Sequence, residues 1–315
     1  MSTEQDSTLV APKTEEELLL LETPEEPEGF VSFWQETYAL ALSMKCVWHI
    51  QREIWSPEEG VRTYLIRAKE WDNTEIAMWI SRPEKSLGGL VVGQGYGQPA
   101  TPGYFPSMTV CFPCIRGLGQ SQCKEIPWEV KQHVLYGIGS KETYILRGAV
   151  SDLWTAASVL IDMFPDTAEN LCYSGASMGG GMGALMLPWD KRFRAAYLHV
   201  PTFGGNPYRL KVPSTGSGEA VRLYVQEHPE AMQVLSWFDA AVSAKYLSIP
   251  TVVLPALEDK VVAPEGQFCV ANSIPAPCKY QYILDKGHAP GTDRDKAVME
   301  EASRKRNELF HAVLS

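Results

Sequence analysis

The stretch that most restricts the fold is Leu171-Cys172-Tyr173-Ser174-Gly175-Ala176-Ser177-Met178-Gly179-Gly180-Gly181-Met182. A short apolar run enters Gly-x-Ser-x-Gly, and small residues then lead into Ala184-Leu185-Met186. That order predicts a buried strand, a sharp turn and a helix. A serine at such a turn sits in a strained backbone conformation with its hydroxyl lifted off the sheet edge. Gly175 and Gly179 fit because strand and helix pack too closely there for side chains. The helix start also turns its amides towards the serine, where they can stabilise a developing anion. Ser177 is therefore the candidate nucleophile. The same string can also be a plain glycine-rich turn, so the rest of the chain has to supply its partners.

The hydrophobic rhythm around this turn predicts an α/β fold. Cys46–Ile50, Val61–Ile66 and Ile76–Ser81 read as an antiparallel start. Continuous apolar runs follow at 89–92, 108–112, 170–173, 194–200, 251–257 and 280–284, the pattern of strands covered on both faces. Between 144 and 164 the residues Val150, Leu153, Trp154, Ala157, Leu160, Ile161 and Phe164 recur at helical steps. Residues 33–42 and 293–314 read as further helices. The alternation implies right-handed crossovers and a mostly parallel central sheet with helices on both faces. Residues 31–315 form one domain, with 201–247 as an insertion that builds a lid or one wall of a pocket. Residues 1–30 read as an acidic tail, disordered or loosely docked, in which Leu18-Leu19-Leu20-Leu21 docks as a short helix.

Composition narrows the function classes. A net charge of −10 argues against a nucleic-acid partner. No apolar run reaches the roughly 20 residues of a membrane span, so no membrane partner is expected. The start Met1-Ser2-Thr3-Glu4 lacks the basic and apolar regions of a signal peptide. With seven cysteines, an odd number, the expectation is a cytoplasmic protein with free thiols. Cys111 and Cys114 have zinc-like spacing but no second pair, and Cys111 falls inside a core strand. Neither a metal nor any other cofactor is expected.

A serine nucleophile needs a base, and the base needs an acid to orient it. On α/β-hydrolase folds these follow in the order Ser, acid, His. Here Leu257-Glu258-Asp259-Lys260 and Gly287-His288-Ala289-Pro290 each follow a strand, so both loops belong at the carboxyl edge that carries Ser177. His288 is the candidate base. The other histidines fit worse: His49 and His199 fall in strands, His133 and His228 precede the acid, and His311 lies in the last helix. Either Asp259 or Glu258 can orient the imidazole, and Asp285 is a third, less well placed carboxylate. Oxyanion donors are expected from the Met178 amide and from the loop Gly93-Gln94-Gly95-Tyr96-Gly97-Gln98, with Tyr96 the candidate there. That loop is not a dinucleotide fingerprint, because Pro99 and Pro102 follow it instead of a helix.

Four strings occur in the order found in one family: Gly95-Tyr96-Gly97, Arg116-Gly117-Leu118-Gly119-Gln120-Ser121, Gly175-Ala176-Ser177-Met178-Gly179-Gly180 and Gly287-His288. The segment 136–152 matches as well. Over residues 46–313 the chain resembles the acetyl xylan esterase and cephalosporin C deacetylase family, carbohydrate esterase family 7. The resemblance implies an α/β-hydrolase fold and removal of acetyl or other short acyl groups from small esters such as acetylated sugars. It implies Ser177, Asp259 and His288 as the triad, with the Tyr96 and Met178 amides as the oxyanion hole. It also implies a homo-oligomer, a hexamer with inward-facing sites. Four positions depart from the family pattern. Leu118 and Met178 stand where glutamines are usual, Cys114 where an aspartate is usual, and Ala289 where a glutamate is usual. Backbone oxyanion donors survive such changes, whereas pocket shape and polarity do not. A peptidase or acyltransferase on the same triad, and a non-catalytic binding protein on the same fold, are the competing expectations.

Overall fold

The computed structural model describes residues 13–43, 47–97 and 100–314. The chain opens with β1 (Val47–Ser56), β2 (Val61–Lys69) and β3 (Glu75–Pro83), which pair antiparallel. It continues through β4 (Gly88–Gly93), β5 (Met108–Cys114), β6 (Leu171–Ala176), β7 (Phe193–His199), β8 (Thr251–Leu254), β9 (Ala256–Glu258), β10 (Lys279–Gln281) and β11 (Leu284–Lys286). Among the described residues nine strands form the main sheet, in the order β1-β2-β3-β5-β4-β6-β7-β8-β10. From β5 to β10 all neighbours are parallel, and β3 joins them antiparallel through β5. The antiparallel start and the mostly parallel sheet match the expectation; Cys46 lies outside the described residues.

Among the described residues eleven helices surround the sheet. They are α1 (Glu15–Leu19), α2 (Phe30–Ser43), α3 (Val130–His133), α4 (Ile145–Met163), α5 (Met178–Met186), α6 (Asn206–Arg209), α7 (Ser217–Glu227), α8 (Ala231–Leu235), α9 (Ala240–Ala244), α10 (Pro264–Ser273) and α11 (Asp293–Leu314). The twofold period of the strands feeds two cores. Val91, Cys111, Tyr173, Leu198 and Val253 face α4 and α5. Their chain neighbours Leu90, Val110, Cys172, Tyr197 and Val252 face Ala302 and Phe310 of α11. Each large side chain buried in this way stabilises the fold by about 1.5–3 kcal/mol. The helix α4 is buried over most of its surface, because α2 covers its outer side and sets Trp34 edge-on to Trp154 at 6.3 Å.

Two expected strands are each broken in two. Pro255 has no N–H to donate, so the run 251–257 divides into β8 in the main sheet and β9 beyond it. The run 280–284 divides in register with it: Tyr282 N–H donates to Val253 O at 3.0 Å and Leu284 N–H to Pro255 O at 2.9 Å. The outer halves, β9 and β11, then pair parallel in a separate two-stranded sheet.

Of the acidic stretch, residues 13–29 lie along the body, and residues 1–12 fall outside the described residues. Thr14 and Glu17 close a capping box on α1. Leu18 is buried, and Asn272 Nδ2 donates to the carbonyls of Leu18 at 2.9 Å and Leu21 at 3.1 Å. Glu26 pairs with Lys245 at 2.7 Å and accepts from the Tyr246 hydroxyl at 2.7 Å. Among the described residues no helix is long and apolar enough to cross a membrane.

Candidate active site

Ser177 sits at the junction of β6 and α5 with φ 55° and ψ −117°, a conformation that side chains rarely adopt. Neighbours hold it there. Its N–H donates to His199 O at 2.9 Å, and its carbonyl accepts from Gly181 N–H at 3.0 Å and Thr202 N–H at 3.2 Å. The turn is tight because backbone meets backbone. A Cβ on Gly175 would come within 2.5 Å of the Gly179 carbonyl, and one on Gly179 within 2.3 Å of Gly93 O. Ser177 stays partly exposed, while Met178 beside it is buried at the first position of α5. That helix is rich in glycine and poor in intrinsic propensity, so its packing against β4, β6 and β7 holds it together.

Asp259 follows β9 and His288 follows β11, so the parallel pairing of those two strands brings their loops together. His288 Nδ1 lies 2.7 Å from Asp259 Oδ2. The Asp259 side chain is wholly shielded from solvent, and that of His288 is 25% exposed. Asp259 Oδ1 accepts from the amides of Val261 at 2.8 Å and Val262 at 3.2 Å, and Oδ2 also accepts from Gln267 Nε2 at 2.9 Å. Burial pushes this carboxyl up, but the hydrogen bond and charge of His288 and the two amides outweigh it and hold the group below its usual range. Gly287 makes the contact possible, since a Cβ there would stand 2.1 Å from Asp259 Oδ2. The rival carboxylates are engaged elsewhere. Glu258 pairs with Lys286, and Asp285 pairs with Arg294 and accepts from the Thr292 hydroxyl at 2.9 Å.

Two further neighbours complete the site: Gln267, which the sequence did not single out, and His199, which it gave only as a strand residue. Gln267 is fully buried in α10, accepts from Ala256 N–H at 2.9 Å, and donates to Val262 O at 2.7 Å as well as to Asp259. His199 ends β7 on the α11 face, beside Tyr197 at 6.5 Å between rings. Burial pushes His199 down to about 4; the charge of His288 adds to the shift and that of Asp259 opposes it. His199 thus links the parts of the site, with its carbonyl on the Ser177 amide and its ring within electrostatic reach of His288 and Asp259.

The loop after β4 runs past the serine turn, where a Cβ on Gly95 would lie 3.9 Å from Ala176 O. The Tyr96 hydroxyl is 2.9 Å from His133 Nδ1, and His133 Nε2 is 2.9 Å from Arg116 O, which fixes the loop from beneath. Beside it opens a cavity of about 330 Å³ lined in part by Gly97, Leu118, Gln122 and Trp128. Leu118 gives this cavity an apolar stretch of wall.

Arg116 is buried rather than aimed at the serine. Its guanidinium meets Asp152 Oδ1 at 2.8 Å, Asp72 Oδ2 at 2.7 Å and Glu70 Oε2 at 3.9 Å. One cation faces three carboxylates, and Glu70 Oε1 has no hydrogen-bond partner. Burial, reinforced by the Asp152 charge and opposed by Arg116, pushes Glu70 up to about 8. Burial pushes both Glu70 and Asp152 towards the protonated form, and Arg116 opposes it in each. Cys111 and Cys114 are buried free thiols in β5. No group of metal-binding side chains occurs among the described residues.

The acetyl xylan esterase family model matches residues 20–299. The acetyl xylan esterase from Paenibacillus sp. R4 superposes with a TM-score of 0.75 at 18% identity, over 93% of this chain and 99% of that one. Acetyl xylan esterase 1 from Thermoanaerobacterium sp. JW/SL YS485 gives 0.76 at 16% identity, over 93% and 99%. Prolyl oligopeptidase B from Galerina marginata gives 0.59 at 17% identity, over 83% of this chain and 38% of that one. At such identities the structural likeness speaks to the α/β-hydrolase fold alone.

Proposed function

The chain belongs to the acetyl xylan esterase family, and from that premise we propose that Ser177, His288 and Asp259 carry its hydrolysis of acetyl and other short acyl esters of sugars. It is a carboxylic-ester hydrolase. The observation that carries the site assignment is the 2.7 Å contact between His288 and a shielded Asp259, with His199 between that pair and the strained Ser177 turn.

The chemistry follows from these groups. Asp259 accepts a hydrogen bond from His288 Nδ1–H and leaves Nε2 as the base. The Ser177 hydroxyl attacks the ester carbonyl and passes its proton to Nε2. The developing oxyanion takes hydrogen bonds from the Met178 amide, aided by the positive end of α5, and from the Tyr96 amide. The imidazolium returns the proton to the departing alcohol, which leaves an acyl group on Ser177. Water then enters with His288 again as base, and the acid and free serine result. The segment 201–247 serves as a pocket wall in this reading, which its packing along the acid loop supports: Thr215 N–H donates to Lys260 O at 2.6 Å.

The reading extends to a homo-oligomer, in keeping with the exposed apolar side chains of the edge strand β1, Val47, Ile50, Ile54 and Trp55. Light scattering after gel filtration distinguishes a monomer from a hexamer. A cytoplasmic location is supported by six free cysteines among the described residues.

The test of function is covalent labelling. A fluorophosphonate probe should attach to Ser177 and to no other serine. Ser177→Ala should lower kcat on 4-nitrophenyl acetate by about 10⁴-fold or more. Undiminished turnover in that variant would remove Ser177 from the reaction, and absence of labelling in folded protein would favour a non-catalytic binding role.

A further inference from the structure

The loop after β4 carries the second expected oxyanion donor, the Tyr96 amide. Its first residues lie against the nucleophile turn. Gly93 pairs with Gly175 in the parallel ladder of β4 and β6, and a Cβ on Gly93 would stand 3.0 Å from Gly179 Cα. Gly95 follows, where a Cβ would lie 3.9 Å from Ala176 O. Tyr96 is the next residue. Glycines let the loop come this close, but they do not hold it still. An oxyanion donor has to be preorganised, so Tyr96 needs an anchor of its own.

That anchor is its side chain on His133. The Tyr96 hydroxyl is 2.9 Å from His133 Nδ1, and the two rings meet edge to face with centroids 5.5 Å apart. His133 ends α3 and is fully buried. Its Nε2 lies 2.9 Å from Arg116 O. A carbonyl oxygen can only accept, so Nε2 carries a proton. In the neutral ring Nδ1 is then bare, and the Tyr96 hydroxyl donates to it. Burial favours this arrangement at both ends, since it pushes the imidazole down and the phenol up and keeps each neutral.

The contacts run on into the core. Arg116 N–H donates to Asp152 Oδ2 at 2.8 Å, and its guanidinium donates to Asp152 Oδ1 through Nε at 3.0 Å and Nη2 at 2.8 Å. Asp152 is fully buried in α4. Gly117 leaves the space that the imidazole needs, because a Cβ there would stand 3.2 Å from His133 Cδ2 and 2.4 Å from Ile126 Cγ2. The Arg116-Gly117 pair thus offers the histidine a fixed carbonyl and room beside it. We propose that His133 is a positioning residue for ester hydrolysis, clamping the Tyr96 side chain so that the Tyr96 amide is held ready for the oxyanion. This rests on the esterase reading and on Tyr96 as an oxyanion residue. The effect falls on transition-state binding and spares substrate binding, because the oxyanion is absent from the ground state.

The experiment removes the bond from each end. Tyr96→Phe keeps the amide and the ring and deletes the hydroxyl. His133→Leu deletes both ring nitrogens, whereas His133→Gln supplies an acceptor and a donor in their place. On 4-nitrophenyl acetate, Tyr96→Phe and His133→Leu should each lower kcat by about tenfold with KM within about twofold of the wild type. The double variant should lose little more than the worse single one, since both delete the same contact. His133→Gln should recover most of the loss. Phenylboronic acid, which forms a tetrahedral adduct with a nucleophilic serine, should bind more weakly in step with kcat/KM. Fluorophosphonate labelling should reach the wild-type endpoint at a lower rate, a result that a shortage of folded protein does not produce. Should His133→Leu not fold, Tyr96→Phe and His133→Gln decide alone. A Tyr96→Phe enzyme with the kcat and boronate affinity of the wild type would overturn the positioning role and leave the esterase intact. A wild-type protein inert to both ester and probe would sink the esterase reading, and the positioning role with it.

Discussion

Gln267 Nε2 donates at 2.9 Å to Asp259 Oδ2, the same oxygen that faces His288 Nδ1 at 2.7 Å. The amide is fully buried, and its remaining polar contacts satisfy Ala256 N–H and Val262 O. It therefore positions the carboxylate as well as closing the β9 loop. Gln267→Leu leaves a buried N–H and C=O unpaired, each costing about 1–3 kcal/mol. The variant should lose about 2–4 kcal/mol of unfolding free energy in urea titration and about tenfold or more in kcat/KM. A midpoint equal to that of the wild type would show that Gln267 plays no such part.

How far the sequence disclosed this site depends on the range of the interaction. The strand, turn and helix around Ser177 were legible because β6 and α5 are local: an apolar run, two glycines and small residues are all contiguous. So were α4 and α11, whose apolar steps are periodic. Asp259 and His288 were legible through chain order, but the choice of Asp259 over Glu258 was not. That choice follows from Pro255 breaking the ladder and from Lys286 engaging Glu258, which are relations across the β9 and β11 pair. Gln267 left no signal and His199 read only as a strand residue, because each owes its role to partners distant in the chain. The docking of residues 13–29 is similar: local acidity suggests solvation, whereas Asn272, Lys245 and Tyr246 supply the contacts.

His199 makes the protein acid-sensitive. Its folded-state value is pushed down to about 4 from an ordinary 6.5. Between those values the unfolded chain binds a proton that the folded chain refuses, so stability is full above about pH 6.5 and falls as pH drops towards 4. The loss should be on the order of 1–2 kcal/mol after allowance for solvent at this partly exposed ring. His199→Gln removes the proton uptake, and its urea midpoint should change less between pH 6.5 and 4 than that of the wild type. Parallel curves would exclude His199 as the source.

Glu70 has the opposite sign. Its folded-state value is raised to about 8 from 4.5, so the folded protein keeps a proton that the unfolded chain has lost. Its contribution is complete below about pH 4.5 and declines as pH rises towards 8. Glu70→Gln is neutral in both states. It should match the wild type near pH 5 and exceed it by on the order of 1–3 kcal/mol near pH 8. A variant less stable at pH 8 than at pH 5, relative to wild type, would mean that Glu70 is ionised beside Arg116.

Gly287→Ala tests the site through space alone. The backbone there is not left-handed, so alanine meets no conformational penalty, and Gly287 N–H keeps its 3.0 Å bond to Glu258 O. The obstacle is steric, since the new Cβ would stand 2.1 Å from Asp259 Oδ2 and 2.5 Å from its Cγ. Either the carboxylate or the loop bearing His288 must withdraw by about 1 Å, and a displacement of that size costs on the order of 10²-fold in rate. The expected result is a kcat/KM on 4-nitrophenyl acetate lower by that factor, slower fluorophosphonate labelling, and a circular dichroism spectrum like that of the wild type. Ser177→Ala in the Gly287→Ala background should add less than it does alone, because the two changes disable one unit. Activity within about twofold of wild type would mean that the Asp259 to His288 contact does not govern the rate.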